Sequence, residues 1–417
     1  MPSPRETPDD DGLRVAVLDA RRGSVLRAFT LPLGPDNNVA TADGSCVVLT
    51  SQGVPVACTH AVDAGMCPQF SGIALLDARA GRLLRIMHTP DSPRDQILAV
   101  GLDAPAHRLV AASVGSTTPG AVSVFDSETG RLLRHVALRF QPVRVVMDET
   151  SGRAFVLASN TAIFNTSGTA SALPPGAVYV FDTRTGALLR RVALQPIRKV
   201  PKHALSGCIS LSNDFPDRLL AGAPGDIAVD RSGGRVFVTG LGPTRYIPHG
   251  PLGSGPGYAL FRLLGPGDVQ VLDARNGHAL RTVIVGYAPM ALAIDAPGRH
   301  VLVVNGGGTW EPANQVSQGT ILEGPQGLHG SLSVLDGAGT HVERTIALGT
   351  TPTSIVLDER ARQAFVGDSG DLLRPEPIRD RWRWLPSWVR MRVPFVPPAA
   401  PPSNQPSRIV MLDVSHF

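Results

Sequence analysis

One thirteen-residue pattern returns along the chain, and it limits what the chain can fold into. It reads VAVLDARRGSVLR to Arg27, IALLDARAGRLLR to Arg85, VSVFDSETGRLLR to Arg134, VYVFDTRTGALLR to Arg190 and VQVLDARNGHALR to Arg281. A weaker copy, LSVLDGAGTHVER, ends at Arg344, and its first half alone returns as IVMLDV around Asp413. Each full copy alternates apolar residues into an Asp, turns through three residues to a Gly and leaves in a second apolar run. Period-two apolar runs on either side of such a turn describe a β-hairpin. The aspartates Asp19, Asp77, Asp126, Asp182, Asp273, Asp336 and Asp413 resemble a catalytic series. Their place at the turn gives them another role: carboxylates that accept backbone N–H groups two or three residues on.

A second hairpin type sits between these. Its clearest copies are DIAVDRSGGRVFVTG from Asp226 and ALAIDAPGRHVLVVN from Ala291. The same plan appears in VVMDETSGRAFVLAS from Val145, SIVLDERARQAFVGD from Ser354, AVGLDAPAHRLVAAS from Ala99 and, degenerate, VATADGSCVVLTS from Val39. Alternating hairpin types give four strands per unit, A and B from the second type, C and D from the first. Four antiparallel strands repeated about an axis make a propeller blade, which hides its two faces only against neighbouring blades. Composition agrees: 44 glycines and 37 prolines in 417 residues suit many short strands joined by turns, not helices. The expected fold class is all-β, a β-propeller of four-stranded antiparallel blades.

The pattern P-x-x-[IAL]-A-[VI]-D…R-V-F-V…V-x-V-[LF]-D-x-x-x-G-x-[LV] resembles the YVTN-type β-propeller repeat, within the quinoprotein amine dehydrogenase-like and YVTN repeat-like superfamily. The B strands here read Val-Phe-Val-Thr from Val236 and Val-Leu-Val-Val from Val301 in place of the family's tetrapeptide. The resemblance runs from Leu13 to Val414 and implies a propeller fold in a secreted or cell-surface setting. Related propellers include quinone-cofactor dehydrogenases and metal-dependent sugar lactonases, so it also implies an enzymatic alternative with its site in a central funnel. In the lactonase alternative Asn305, at the end of a B strand, is one candidate metal ligand.

Residues 1–12 are expected to be a disordered tail and 13–417 a single propeller domain. Seven C-type strands face six A–B hairpins, so the hairpin from Val15 to Thr30 has no A–B partner before it. Seven blades are favoured, with a segment on the order of 40–60 residues, the length of one such blade, missing upstream. Six blades, with Leu13 to Thr30 rearranged as closing strands, are the alternative. No signal peptide precedes the repeats, since Met1 to Asp11 is polar and acidic. The extracytoplasmic expectation rests on the repeat family and on the cysteines.

Antiparallel order puts A–B and C–D turns on one face, and B–C and D–A connections on the other. The first kind are all short. The long insertions, 51–71, 159–177, 195–225, 241–267, 306–330 and 368–407, all fall on the second face. A scaffold minimal on one side and elaborated on the other presents a binding surface. The candidate contact residues are His203, Tyr246, His249, Trp310 and His329, with Trp382, Trp384 and Trp388 in the last insertion. That insertion mixes tryptophan, arginine and proline. It is either a lid over the face, a protein contact, or a membrane-surface contact through 379–395. The arginines Arg27, Arg85, Arg134, Arg190 and Arg281 fall on strand D, the outermost, where charge discourages edge pairing without any partner.

No cofactor, resident metal or nucleic-acid partner is expected. A net charge of +4 is small for this length and its arginines are scattered. No histidine spacing fixes two ligands on one element, and no Gly-x-Ser-x-Gly, Walker A, His-Glu-x-x-His or Cys-x-x-Cys motif is present. The expected function is therefore a non-enzymatic binding or scaffold propeller, a monomer, presenting its elaborated face to a protein or small-molecule ligand. Cys58 and Cys67 flank eight residues within one insertion. In an oxidising compartment they form a disulfide; in a reducing one they join His60 as metal ligands. Mass mapping without reductant is expected to recover them as one cross-linked peptide, and an alkylatable Cys58 would remove the disulfide.

Overall fold

A strand that is apolar on both sides needs a cover on each, and the sheets of this chain cover one another. The computed structural model describes residues 13–18, 25–31, 35–40, 46–52, 71–77, 82–90, 96–115, 119–160, 176–195, 219–220, 223–247, 259–296, 299–307, 309–310, 320–323, 329–349, 351–358, 362–368 and 408–415. All its regular structure there is β. The chain divides into two compact units, Met1–Thr161 with Gly176–Ala193, and Ala162–Pro175 with Leu194–Phe417.

The first unit opens with an antiparallel pair, β1 (Leu13–Leu18) and β2 (Val25–Leu31). Three four-stranded antiparallel sheets follow in chain order. They are β3 (Pro35–Ala40), β4 (Cys46–Gln52), β5 (Ser71–Asp77) and β6 (Arg82–Met87); then β7 (Gln96–Asp103), β8 (Arg108–Val114), β9 (Gly120–Asp126) and β10 (Leu132–Leu138). The third is β11 (Gln141–Asp148), β12 (Arg153–Ser159), β13 (Gly176–Asp182) and β14 (Leu188–Ala193).

The second unit adds β15 (Leu219–Leu220), β16 (Pro224–Asp230), β17 (Arg235–Gly240), β18 (Thr244–Ile247), β19 (Ala259–Leu263), β20 (Asp268–Asp273) and β21 (Ala279–Ile284). Then come β22 (Pro289–Asp295), β23 (His300–Asn305), β24 (Thr309–Trp310), β25 (Thr320–Glu323), β26 (Ser331–Asp336) and β27 (Val342–Ala347). The last are β28 (Pro352–Asp358), β29 (Gln363–Asp368) and β30 (Arg408–Asp413). Strands β16, β17, β20 and β21 form one blade, β22, β23, β26 and β27 the next, and β28 to β30 a three-stranded sheet. These are the A–B and C–D hairpins expected from the repeats, and the fold is that of a β-propeller.

Alternation along the B strands shows how the blades stack. On β8, Leu109 and Ala111 pack with Val48, Ile73 and Leu75 of the preceding sheet, while Val110 and Ala112 pack with Val156, Tyr179 and Phe181 of the following one. On β23, Val301 and Val303 meet Phe237, Val269 and Val271, while Leu302 and Val304 meet Ala364, Val366 and Val414. These two B strands thus each belong to two cores at once, a direct result of their period of two. The D strands are largely exposed, as in β14 and β21.

Turn chemistry matches the repeat. Asp126 accepts the Thr129 N–H (2.8 Å), Asp182 the Thr185 N–H (2.7 Å) and Asp273 the Arg275 and Asn276 N–H groups (2.7 and 3.1 Å). The Thr129 N–H holds the Asp126 carboxyl below its ordinary value, and the Asn276 N–H does so for Asp273. Among the described residues the glycine of these turns is left-handed, with φ of 74° at Gly130 and 70° at Gly186. The A–B turns use a left-handed residue as well, but not always glycine: Gly152 and Gly234 share the role with His107, Arg299 and Arg362.

The D-strand arginines correct the expectation of charges without partners. Arg85 on β6 reaches the C–D turn of the next blade and donates to the carbonyls of Thr129 (2.7 Å) and Glu128 (2.6 Å). Arg134 lies against Gly186 in the following turn, where an added Cβ would come within 2.6 Å of the Arg134 Cβ. Further polar ties link A–B turns to the next blade: Thr183 donates to Asp103 (3.3 Å), and Arg362 bridges Asp295 and the Val414 carbonyl. Substituting Arg85→Ala is expected to cost about 1 kcal/mol, the value of exposed charge-assisted bonds. Phe237→Ala, at 0% exposure between two blades, should cost about 3–5 kcal/mol in denaturant unfolding.

Candidate functional site

The elaborated face acquires a sheet of its own in the second unit. The insertion before β16 supplies β15, the B–C insertion between β17 and β20 supplies β18 and β19, and the next B–C insertion supplies β24 and β25. Their order is β15-β18-β19-β25-β24, antiparallel except for the parallel pair β19–β25 that joins the insertions of adjacent blades.

Register brings together residues distant in sequence. Tyr246 pairs with Phe261, Phe261 with Leu322, and Leu322 with Trp310, so two of the expected contact residues share one cross-strand row. The neighbouring row runs Leu219, Arg245, Arg262, Glu323 and Thr309. Sequence reasoning placed Tyr246 and Trp310 in separate loops and missed Phe261, Leu322, Arg245, Arg262 and Glu323. The signal available was the apolar stretch ALFRLL, ended by Gly265, and the short TILE between Gly319 and Gly324, both too brief to stand out as strands. His329 is described and exposed, one residue before the blade-closing Gly330. His203, His249, Trp382, Trp384, Trp388, the segment 379–395, Cys58 and Cys67 lie outside the described residues, as does the tail 1–12.

The ends of the B and C strands carry buried polar groups. Asn305, 1% exposed, closes β23: its Oδ1 accepts the Gly286 N–H (3.1 Å), and its Nδ2 donates to Ser331 Oγ (3.1 Å) and Ser333 Oγ (3.0 Å). Asp368 at the end of β29 accepts the Thr351 N–H (2.9 Å) in the same way. Both side chains hold the D–A bend that leads into their own sheet. Asn305, the candidate metal ligand of the lactonase alternative, thus has its amide oxygen and nitrogen engaged by backbone and serine groups. Asp226 ties adjacent blades, accepting the Leu292 N–H (3.0 Å).

The equivalent position on β17 is Gly240, and a carboxyl stands across the ladder from it at Asp268. Asp268 is 2% exposed, its Oδ1 has no hydrogen-bond partner, and burial pushes its pKa up to about 7. Sequence reasoning treated Asp268 as the edge of an insertion and did not single it out. Among the described residues, no group of three or more His, Cys, Asp or Glu is placed to hold a metal ion, and no helix is long and apolar enough to cross a membrane.

Two solved structures share this architecture. One is Kuenenia stuttgartiensis hydrazine synthase, 12% identical with a TM-score of 0.51, covering 85% of this chain and 86% of that chain. The other is a functionally unknown protein from Desulfotomaculum acetoxidans DSM 771, 13% identical with a TM-score of 0.51, covering 87% of each. The likeness is one of fold. No protein-family model and no curated protein matches the sequence.

Asn305 yields a direct test of its bracing role. Asn305→Ala leaves the Gly286 N–H and two serine hydroxyls without their partner and is expected to destabilise by about 2–3 kcal/mol in urea unfolding. A change below about 0.5 kcal/mol, the level of a typical surface substitution, would contradict the bracing role.

Proposed function

We propose that this chain is a binding propeller of the YVTN-repeat type that acts outside the cytoplasm and engages a protein or small-molecule ligand through the face built by its long connections. The observation that carries the reading is the five-stranded accessory sheet, in which insertions from successive blades pair with each other. Neutral loop growth gives independent excursions; a shared sheet fixes Tyr246, Phe261, Leu322 and Trp310 in one row. Rows that include tyrosine and tryptophan suit recognition, since these rings supply large contact area at low entropic cost. The turns of the opposite face are closed on themselves by Asp caps. The YVTN resemblance and the spacing of Cys58 and Cys67 support the extracytoplasmic setting. The hydrogen bonds around Asn305 give that residue a structural part without any ligand.

Site-specific photocrosslinking tests the assignment. A photoreactive residue at Tyr246 or Trp310 is expected to give a discrete adduct in the native extracytoplasmic fraction, and one at Ser232 or Arg275, in exposed turns at the other end of the blade β16, β17, β20 and β21, none. Equal labelling from both faces, or none from the accessory sheet, would remove the reading.

A further inference from the structure

The rung Gly240–Asp268 is the last of the β17–β20 ladder, and both arms of the β18–β19 insertion leave from it. Beyond the rung, the arms are held by the Leu264 N–H on the Pro243 carbonyl (2.8 Å) and the Leu241 N–H on the Ala223 carbonyl (3.0 Å). The Gly267 N–H and carbonyl exchange bonds with Gly286 (2.9 Å) and Val285 (3.0 Å). Gly242, at φ 96°, lies so close to the carbonyls of Pro266 and Gly265 that a Cβ would come within 2.8 and 2.9 Å of them. The root of the accessory sheet is therefore a narrow crossing of two strands with a buried carboxyl at its base.

We propose that Asp268 is a proton-operated clasp, whose neutral carboxyl lets this crossing stay closed and whose ionisation opens it. The geometry leaves the charge nowhere to go. Asn305 and Asp368, at comparable strand ends, each receive a backbone N–H, whereas the Asp268 Oδ1 receives none. Gly240 lies opposite on β17 and Ile284 on β21; along β20, Gln270 has its amide tied to both the N–H and the carbonyl of Gln195. No charged group contributes to the state of this carboxyl; desolvation is the cause of its raised value, about 7. An open crossing would hydrate the carboxylate and return it toward its ordinary value of 3.8.

The sign follows from that difference. The closed form keeps its proton between pH 3.8 and about 7 while the open form has lost it. Closure therefore weakens as pH rises through this window and levels off above it. The clasp deepens the binding reading by regulating the sheet that presents the surface, and it is measured without any ligand, so either can fail alone.

Hydrogen exchange of the full chain at pH 5 and pH 8, corrected for intrinsic rates, tests it. The opening equilibrium at the amides of Leu241, Leu264, Gly267 and Val285 is expected to rise about a hundredfold, two tenfold steps for the two pH units below 7. The amides of β23 serve as the unaffected reference. Asp268→Asn, of the same shape, is expected to abolish the dependence. In the unmodified chain, difference infrared spectra should show a protonated carboxyl band lost between pH 6 and pH 8. Opening independent of pH, a dependence retained in Asp268→Asn, or the absence of that band would overturn the clasp.

Discussion

Stacking of sheet on sheet, which buries both faces of strands such as β8 and β23, is what holds the blades in place. A four-stranded sheet with Leu109 and Ala111 on one side of β8, and Val110 and Ala112 on the other, has no solvent side to its B strand. It is stable only between two neighbours. The same holds for β23, whose Val301 and Leu302 face different cores. Stacking confines chain variation to the connections and puts function at the ends of strands, where backbone ladders stop. Polar ties such as Arg85 to Glu128 and Thr129 add register to a contact whose energy is apolar.

The blades were legible because their signals are local. An Asp that caps its own turn and a Gly that takes φ 74° act within five residues, and alternation needs only the strand itself. The A–B turns were less regular in sequence because the left-handed position tolerates His107, Arg299 and Arg362 where Gly152 and Gly234 would be easier. Each is held there by the surrounding hairpin. His107, Gly152, Gly234 and Arg362 all accept the N–H that follows the C-strand Asp, from Ser127, Thr183, Ala274 and Val414.

The site was less legible for a different reason. Strands of two to five residues carry too little pattern to announce themselves, and the parallel pairing of Ala259–Leu263 with Thr320–Glu323 joins segments that lie far apart in the sequence. Tyr246 and Trp310 could be chosen as residue types suited to contact, but not placed in one row. Asp268 is one of 35 acidic residues, and what distinguishes it is the absence of donors around it, a tertiary property. Asn305 shows the converse: a side chain that suggests a ligand in isolation acts as a bracket among its backbone and serine partners.

Mutual burial is tested on one blade alone. Residues 224–284, containing β16 to β21, should give no cooperative thermal transition by circular dichroism and no dispersed amide NMR spectrum, since Phe237, Val269 and Val271 lose the sheet that covers them. A sharp two-state melt of that fragment would mean that each sheet carries its own core, and the account of this fold would be contradicted.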